Sequence, residues 1–453
     1  LDAEPPPMSA AWKQPPPDGW RDAAPADALP RGQWWRLYGD AQLDALASRV
    51  AVGNQSIAAA LAAQRQAEAL LREQQAALFP TLRATGGAAR SGGGASSASG
   101  NRFSATLVAG WEADVWGRLG DAARAAGASA QASAADLAAA RLAAQATLAS
   151  TYFLLREADA EIALLRDTIE AYRRSAEITS NRYQAGIAPK SDLLQAQTQL
   201  ANAQADLAAL EGSRAQQEHA IAVLLGQPPA AFELTPSPWP EIASPPPALP
   251  PGLPSELLQR RPDIAAAQRR VAAANAQVGV ARAAFYPSFT LSGQYGLGAS
   301  RLGDLFSASA AAWSLGISLA QSIFDAGANQ ARLDQQRAAW EGSVAQYRGT
   351  VLAAFQEVED ALALLRAQQQ QLAQRRIASS AADQAEQQVM NRYRAGQVGY
   401  AEVVAAQVSA LSARRAVVQL AAAQRVATVS LQRALGGGWD AALLDAQAAT
   451  QPR

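Results

Sequence analysis

Residues 103–111 read FSATLVAGW, and the pattern alternates at every position. Phe103, Ala105, Leu107, Ala109 and Trp111 fall on one side, with Ser104, Thr106, Val108 and Gly110 on the other. The stretch FTLSGQYGL at 289–297 does the same, setting Phe289, Leu291, Gly293, Tyr295 and Leu297 against Thr290, Ser292, Gln294 and Gly296. A third, WSLGISL at 313–319, sets Trp313, Leu315, Ile317 and Leu319 against Ser314, Gly316 and Ser318. A period of two marks a strand, because successive Cβ atoms point to opposite faces of a sheet. The segment LRATGGAAR at 82–90 is the weakest of the four. Strands of about nine to thirteen residues suit a tilted bilayer crossing. Phe103, Trp111, Phe289, Tyr295 and Trp313 all lie on the apolar side, as in the aromatic girdles of membrane barrels. A half-buried hairpin in a soluble domain gives the same alternation.

If the strands do enter lipid, their number has a consequence. An open sheet in hydrocarbon leaves edge N–H and C=O groups without partners, and single-chain bacterial barrels begin at about eight strands. Several chains must then share one barrel. A dimer closes eight strands and a trimer twelve.

Outward from these segments, proline divides the chain. Residues 5–30 and 228–262 are Pro-rich, and none occurs at 81–188, 190–227 or 288–451. Proline breaks helix interiors, so the proline-free windows predict very long helices at 114–184 and 327–394, each followed by a return helix at 191–226 and 401–435. In the first, positions 148, 155, 162, 169, 176 and 183 are Leu, Leu, Ile, Ile, Ala and Tyr, with Thr, Ala, Leu, Tyr and Thr at 151, 158, 165, 172 and 179. That seven-residue repeat is a coiled-coil seam, and about 70 residues of helix extend roughly 100 Å.

The chain also repeats itself. NRYQAG at 181–186 recurs as NRYRAG at 391–396, Leu225-Gly226 as Leu435-Gly436, Phe79-Pro80 as Tyr286-Pro287, and Trp116 as Phe324. A spacing near 210 residues is too long for a solenoid and reads as an internal duplication. The expected plan is an extended arm at 1–30, a first repeat at 31–226 with its hairpin near 80–113, a Pro-rich linker at 227–253, a second repeat at 254–436 with its hairpin near 286–322, and a tail at 437–453.

Composition excludes several kinds of chemistry. Among 453 residues there is no cysteine, a single histidine (His219) and two methionines, and the net charge is zero. Without Cys there are no thiol nucleophiles, thiolate metal sites or disulfides. One His builds no histidine cluster, and the balanced charge leaves no footprint for nucleic acid. GLGASR at 296–301 has Arg301 where a dinucleotide fingerprint needs its third Gly, and it sits in a strand-loop. No catalytic, cofactor or metal residue is expected. No uninterrupted apolar run reaches the ~20 residues of a membrane helix.

Several stretches in order along the chain carry a family resemblance: GWRDAAPADALPRGQWWRLYGDAQLDAL (19–46), AALFP (76–80), LPSELLQRRPDI (253–264), ARAAFYPS (281–288), AFQEVEDAL (354–362), NRYRAG (391–396) and RALGGGW (433–439). With the duplication, they make the chain resemble the TolC-like outer-membrane efflux proteins, in particular the OprM/NodT-like branch. The resemblance implies a mainly α chain with a small transmembrane β part. It also implies a homotrimer with a 12-stranded β-barrel, four strands per chain, and a coiled-coil α-barrel in the periplasm. An equatorial domain is expected from 30–60, 227–255 and 436–453. The implied partners are a periplasmic adaptor, an inner-membrane RND-type transporter and outer-membrane lipid. The implied function is passive conduction of drugs or other small molecules out of the cell, with metal ions or secreted protein as alternative cargo. A soluble coiled-coil scaffold is the rival from another class; it leaves the duplicated aromatic-Pro entry into paired strands without a reason. The branch usually carries a lipidated Cys after its signal peptide, so an anchor preceding Leu1 is left open.

On this reading the turns 185–190 and 395–400 form the periplasmic tip. Gly186 and Gly396 are expected to end their helices in the left-handed conformation. Arg182, Tyr183, Arg392 and Tyr393 are candidates for a gate or an adaptor-docking surface, with helix-end chemistry as their ordinary role. Asp192 and Glu402 stand in the first turns of the return helices. They serve the helix dipole, or line the aperture as a carboxylate ring.

Overall fold

The computed structural model describes residues 5–7, 11–13, 33–92, 100–237, 246–247 and 254–439. Most of the arm 1–30 and of the expected equatorial segments beyond 237 and 439 lies outside them. The chain divides into two compact units. One comprises chiefly 62–135 and 264–350, and the other 6–61, 136–263 and 351–453.

The elements are α1 (Ala41–Gly53), α2 (Gln55–Ala76), β1 (Thr81–Ser91), β2 (Gly100–Ala113), α3 (Arg118–Gln184), α4 (Lys190–Leu224), α5 (Leu257–Arg260), α6 (Pro262–Ala283), β3 (Ser288–Ala299), β4 (Ala311–Ala320), α7 (Ala328–Arg394) and α8 (Tyr400–Ala434), with short 3-10 turns between them. The duplicated helices agree in length to the residue. α2 and α6 have 22 residues each, α3 and α7 have 67, and α4 and α8 have 35.

In the first unit β1, β2, β3 and β4 form one antiparallel sheet in sequence order. The β2–β3 pair joins the two copies. β1, the weakest alternation in the sequence, pairs with β2 along its whole length. Its glycines and alanines carry little side-chain signal, and the ladder is made by the backbone.

The helix starts differ from the proline-based expectation: the return helices begin one residue early, at Lys190 and Tyr400, and both long helices begin late. α3 begins at Arg118 and not at 114. The Asp114 carboxylate accepts hydrogen bonds from Leu119 N (3.0 Å) and Gly120 N (2.7 Å) and so caps the helix. The intervening turn needs positive φ at Gly117, +76°. The second copy repeats the device. Asp325 accepts from Gly327 N at 3.0 Å and Asn329 N at 2.9 Å, and α7 starts at Ala328. The return helices stop at Leu224 and Ala434, just short of 226 and 435, followed by left-handed Gly226 and Gly436.

The second unit holds most of the buried apolar side chains. The seam residues Leu148, Leu155, Ile162 and Ile169 of α3 are buried, as are Ala158, Leu165, Tyr172 and Thr179. Leu148 and Leu155 join a core with Trp34, Trp35, Leu43, Leu46, Ile221 and Val429. The Asp40 side chain caps α1 by accepting from Gln42 N and Leu43 N (2.9 and 3.0 Å), and its other oxygen accepts from the Tyr152 hydroxyl at 2.6 Å. Val358, Leu362, Leu365 and Leu431 form a second cluster, against which Trp12 of the arm packs.

A buried ionic clamp crosses this unit. Asp159 accepts from Arg156 Nη1 (2.5 Å), Arg214 Nε (2.6 Å) and the Ser237 amide (3.1 Å). Arg156 also donates to the Thr235 carbonyl at 3.0 Å, and Arg214 to that of Leu234 at 2.5 Å. Glu218 joins Arg214 at 2.9 Å. The extended segment 232–237 is thereby fixed to α3 and α4.

Candidate functional site

Two regions bear on function: one face of the sheet, and the ends of the long helices. Strand registers decide the first. Ala84, Leu107, Tyr295 and Trp313 stand in one row across all four strands. Trp111, Leu291 and Ile317 form a second row, and Phe289 faces Leu319 in a third. All five aromatic candidates, Phe103, Trp111, Phe289, Tyr295 and Trp313, therefore share the apolar face. Phe103 to Trp111 is eight residues along β2, roughly 26 Å of strand, or about 20 Å of height at a tilt of about 40°, which fits within the roughly 25 Å apolar band of a membrane barrel. On this face Leu315 is 79% exposed and Ile317 71%, an arrangement suited to lipid rather than water. The opposite face is mostly small or polar. Arg83, Val108, Gln294 and Ser314 share one row, and Thr81, Gly110, Ser292 and Gly316 the next.

At the far end of the helices, both tips close in the same way. Gly186 has φ +71° and Gly396 +73°. Gly186 N bonds to Tyr183 O and Ile187 N to Arg182 O (3.0 and 2.8 Å), while Gly396 N bonds to Tyr393 O and Gln397 N to Arg392 O (both 2.9 Å). This double pattern is the Schellman cap, which satisfies the last carbonyls of a helix and needs a left-handed residue.

The side chains of the two copies are not equivalent. Arg182 donates from Nη1 to the Tyr393 carbonyl at 3.2 Å, and its guanidinium carbon lies 4.7 Å over the Tyr393 ring. Tyr393 is buried against Tyr400, with ring centroids 5.3 Å apart, and Ala196 and Val403 complete the cluster. Burial, then the nearby Tyr393 and Tyr172, push the Tyr400 hydroxyl up to about 12. Tyr183 and Arg392, the matching pair of the other copy, are exposed instead. Asp192 and Glu402 occupy the first turns of α4 and α8. The structure thus brings Arg182 and Tyr393 together and leaves Arg392 and Tyr183 outside that contact. Tyr400 is a tip residue that repeat-matching missed, since its counterpart at the same offset is Lys190. Its signal was only an aromatic at the start of a helix.

His219 is exposed on α4, and GLGASR lies largely within β3 and is followed only by a three-residue 3-10 turn, not by the α-helix a phosphate site needs. Among the described residues, no group of three or more His, Cys, Asp or Glu is placed to hold a metal, and no helix is long and apolar enough to cross a membrane.

A family model described as outer membrane efflux protein matches residues 46–227 and 253–437, one match per repeat. The chain is 34% identical over 448 residues to the pyoverdine export outer membrane protein OpmQ of Pseudomonas aeruginosa, covering 93% of this chain and 91% of that protein. It is 31% identical to the cation efflux system protein CusC of Escherichia coli O6:H1, over 91% of this chain and 90% of that one. Among solved structures, the outer-membrane channel OprN superposes with a TM-score of 0.84 at 32% identity, covering 97% of this chain and all of that one. These relatives are named for export, efflux or channel formation. With both repeats matched and full-length likeness to such channels, the chain belongs to the outer membrane efflux protein family and is an outer-membrane exit duct for efflux.

Proposed function

We propose that the duct is a homotrimer in which three four-stranded sheets close one 12-stranded barrel and α3, α4, α7 and α8 of each chain contribute to a 12-helix tunnel in the periplasm. The observation that carries this reading is a sheet with one continuous apolar face and two outer edges, β1 and β4, that pair with nothing among the described residues. Lipid does not tolerate such edges, so several copies must share one barrel, and the likeness to outer-membrane efflux channels supports three rather than two. The aromatics Phe103, Trp111, Phe289, Tyr295 and Trp313 then form the membrane girdle. Mass measurement of the detergent-solubilised protein tests the assembly: three chains are expected, and one or two would refute it.

The tip residues Arg182, Tyr183, Gly186, Asp192, Arg392, Tyr393, Gly396 and Glu402 form the periplasmic aperture and the docking surface for a periplasmic adaptor, behind which an RND-type inner-membrane transporter supplies cargo. The contact of Arg182 with Tyr393 supports an aperture held shut by side chains that cross between copies. The cargo is small organic molecules. The likenesses to pyoverdine, antibiotic and toluene efflux proteins support this, while a chain with one His, two Met and no Cys argues only against soft-metal ligation by the duct itself. The likeness to a cation efflux protein carries the second reading. Deleting the gene and measuring growth inhibition by organic toxicants and by metal salts decides between them. Sensitivity confined to metals would overturn the organic reading.

A further inference from the structure

The duplication supplies a contact that one chain cannot complete. An aromatic residue precedes each hairpin, Phe79 before Pro80 and Tyr286 before Pro287, and another follows each, Trp116 and Phe324. Where the copies meet at the β2–β3 seam, the residue after the first hairpin lies on the residue before the second. Trp116 stacks on Tyr286 with centroids 4.8 Å apart and planes 21° from parallel. Its indole Nε1 donates to the Pro287 carbonyl at 2.7 Å.

Among the described residues, the remaining two aromatics have no such mate. Phe324 is 88% exposed and Phe79 68%. Phe324 follows β4 and Phe79 precedes β1, the two outer strands of the sheet. Three inter-strand spacings separate those strands, roughly 14 Å, so the two rings do not meet in one chain. Two large exposed aromatics at opposite edges, each the counterpart of a residue already paired at the internal seam, call for a second copy of this chain.

We propose that Phe324 packs on Phe79 and Pro80 of an adjacent copy, as the intermolecular counterpart of Trp116 on Tyr286 and Pro287. The proposal rests on the shared-barrel reading above. In a closed trimer six such contacts alternate around the foot of the strands, three within chains and three between them. The two kinds differ in chemistry. Phe324 has no ring N–H, so the Pro80 carbonyl receives no bond like the one from Trp116 to Pro287. The contact between chains is held by ring burial alone and is the weaker link of the collar.

The cysteine-free sequence makes the test direct. The full chain is expressed in outer membranes with Phe79→Cys, with Phe324→Cys, and with both, and treated with a short bismaleimide. The double variant is expected to give covalent dimers and trimers on a denaturing gel, and each single variant only monomers. If the double variant gives no inter-chain product while the solubilised protein has the mass of three chains, the contact is refuted and the trimer stands. A one-chain mass refutes the shared barrel and the contact with it. A second variant does not depend on cross-linking. Phe324→Trp restores the missing donor and is expected to raise the temperature at which the assembly dissociates in detergent, and Phe324→Ala to lower it. Equal dissociation temperatures for the parent and both variants overturn the proposal.

Discussion

Replacing Asp159 by Asn isolates the ionic clamp in the second unit. The substitution keeps the side chain's shape and removes its charge. Two guanidiniums, Arg156 and Arg214, are then left with Glu218 as their remaining carboxylate at the clamp. The Asp159 side chain is 1% exposed and that of Arg156 2%, so water does not replace the lost charge. Removing one partner from a buried ion pair costs about 3–5 kcal/mol. The segment 232–237 bears most of that loss, because its Leu234 and Thr235 carbonyls and its Ser237 amide are bonded to clamp residues. At about 1.4 kcal/mol per tenfold, the opened state of the segment gains roughly 100-fold or more in population. Chymotrypsin, which cleaves after Phe232 and Leu234, reads this opening in the folded protein. The Asn variant should be cut there about 100-fold faster, with helical circular dichroism and assembly mass unchanged. A cleavage rate within about threefold of the parent for Asp159→Asn would refute the reasoning.

Three further predictions concern charge and face. Burial and the neighbouring Glu161 raise the Glu157 carboxyl from the ordinary carboxylate value of 4.5 to about 7. The folded state therefore holds that proton more tightly than the unfolded chain, and stability from this group falls as pH rises from 4.5 through about 7. Glu157→Gln should raise the unfolding temperature at pH 8, with the gain vanishing below pH 4.5, and equal gains at both pH values would be contrary to it. On the sheet, Leu315→Arg on the apolar face should cost about 2–4 kcal/mol of membrane stability and reduce insertion, while Gly316→Arg on the opposite face should insert normally and lower conductance. The reverse pattern would exchange the two faces. At the tip, Asp192→Asn with Glu402→Gln should reduce cation preference in single-channel recordings, and unchanged conductance and selectivity would remove the carboxylate ring from the account.

Much of this fold was legible because duplication repeats its own signal. Two near-identical hexapeptides at the tips, and three clean alternating segments against one weak one, specify a mainly helical chain with four strands. β1 was faint because a strand of Gly, Ala and Thr pairs through its backbone while showing little alternation. The break between α1 and α2 was hidden in an Ala-rich run. It is made by Asn54, whose side chain accepts from Ser56 N and Ile57 N and donates to the Leu224 carbonyl 170 positions away. The clamp was illegible for the same reason. Arg156 and Asp159 look like an ordinary pair on one helix face, and only long-range contacts with Arg214 and Thr235 reveal that both are buried. At the tip the repeat marked Arg182 and Tyr393 equally with Arg392 and Tyr183. Sequence symmetry cannot say which pair meets within a chain, and it passes over Tyr400, which has no aromatic twin.

The matched helix lengths, 67 residues in α3 and α7 and 35 in α4 and α8, restrict how this chain can change over generations. Removing seven residues from α3 alone would draw one tip back by roughly 10 Å relative to its twin. It would also strand the Arg182 guanidinium far from Tyr393. A viable deletion must take the same number of residues from both long helices and from both return helices. Four separated edits, each harmful alone, stand between this length and any other, so the ancestral duplication acts as a ruler that later mutation can hardly reset.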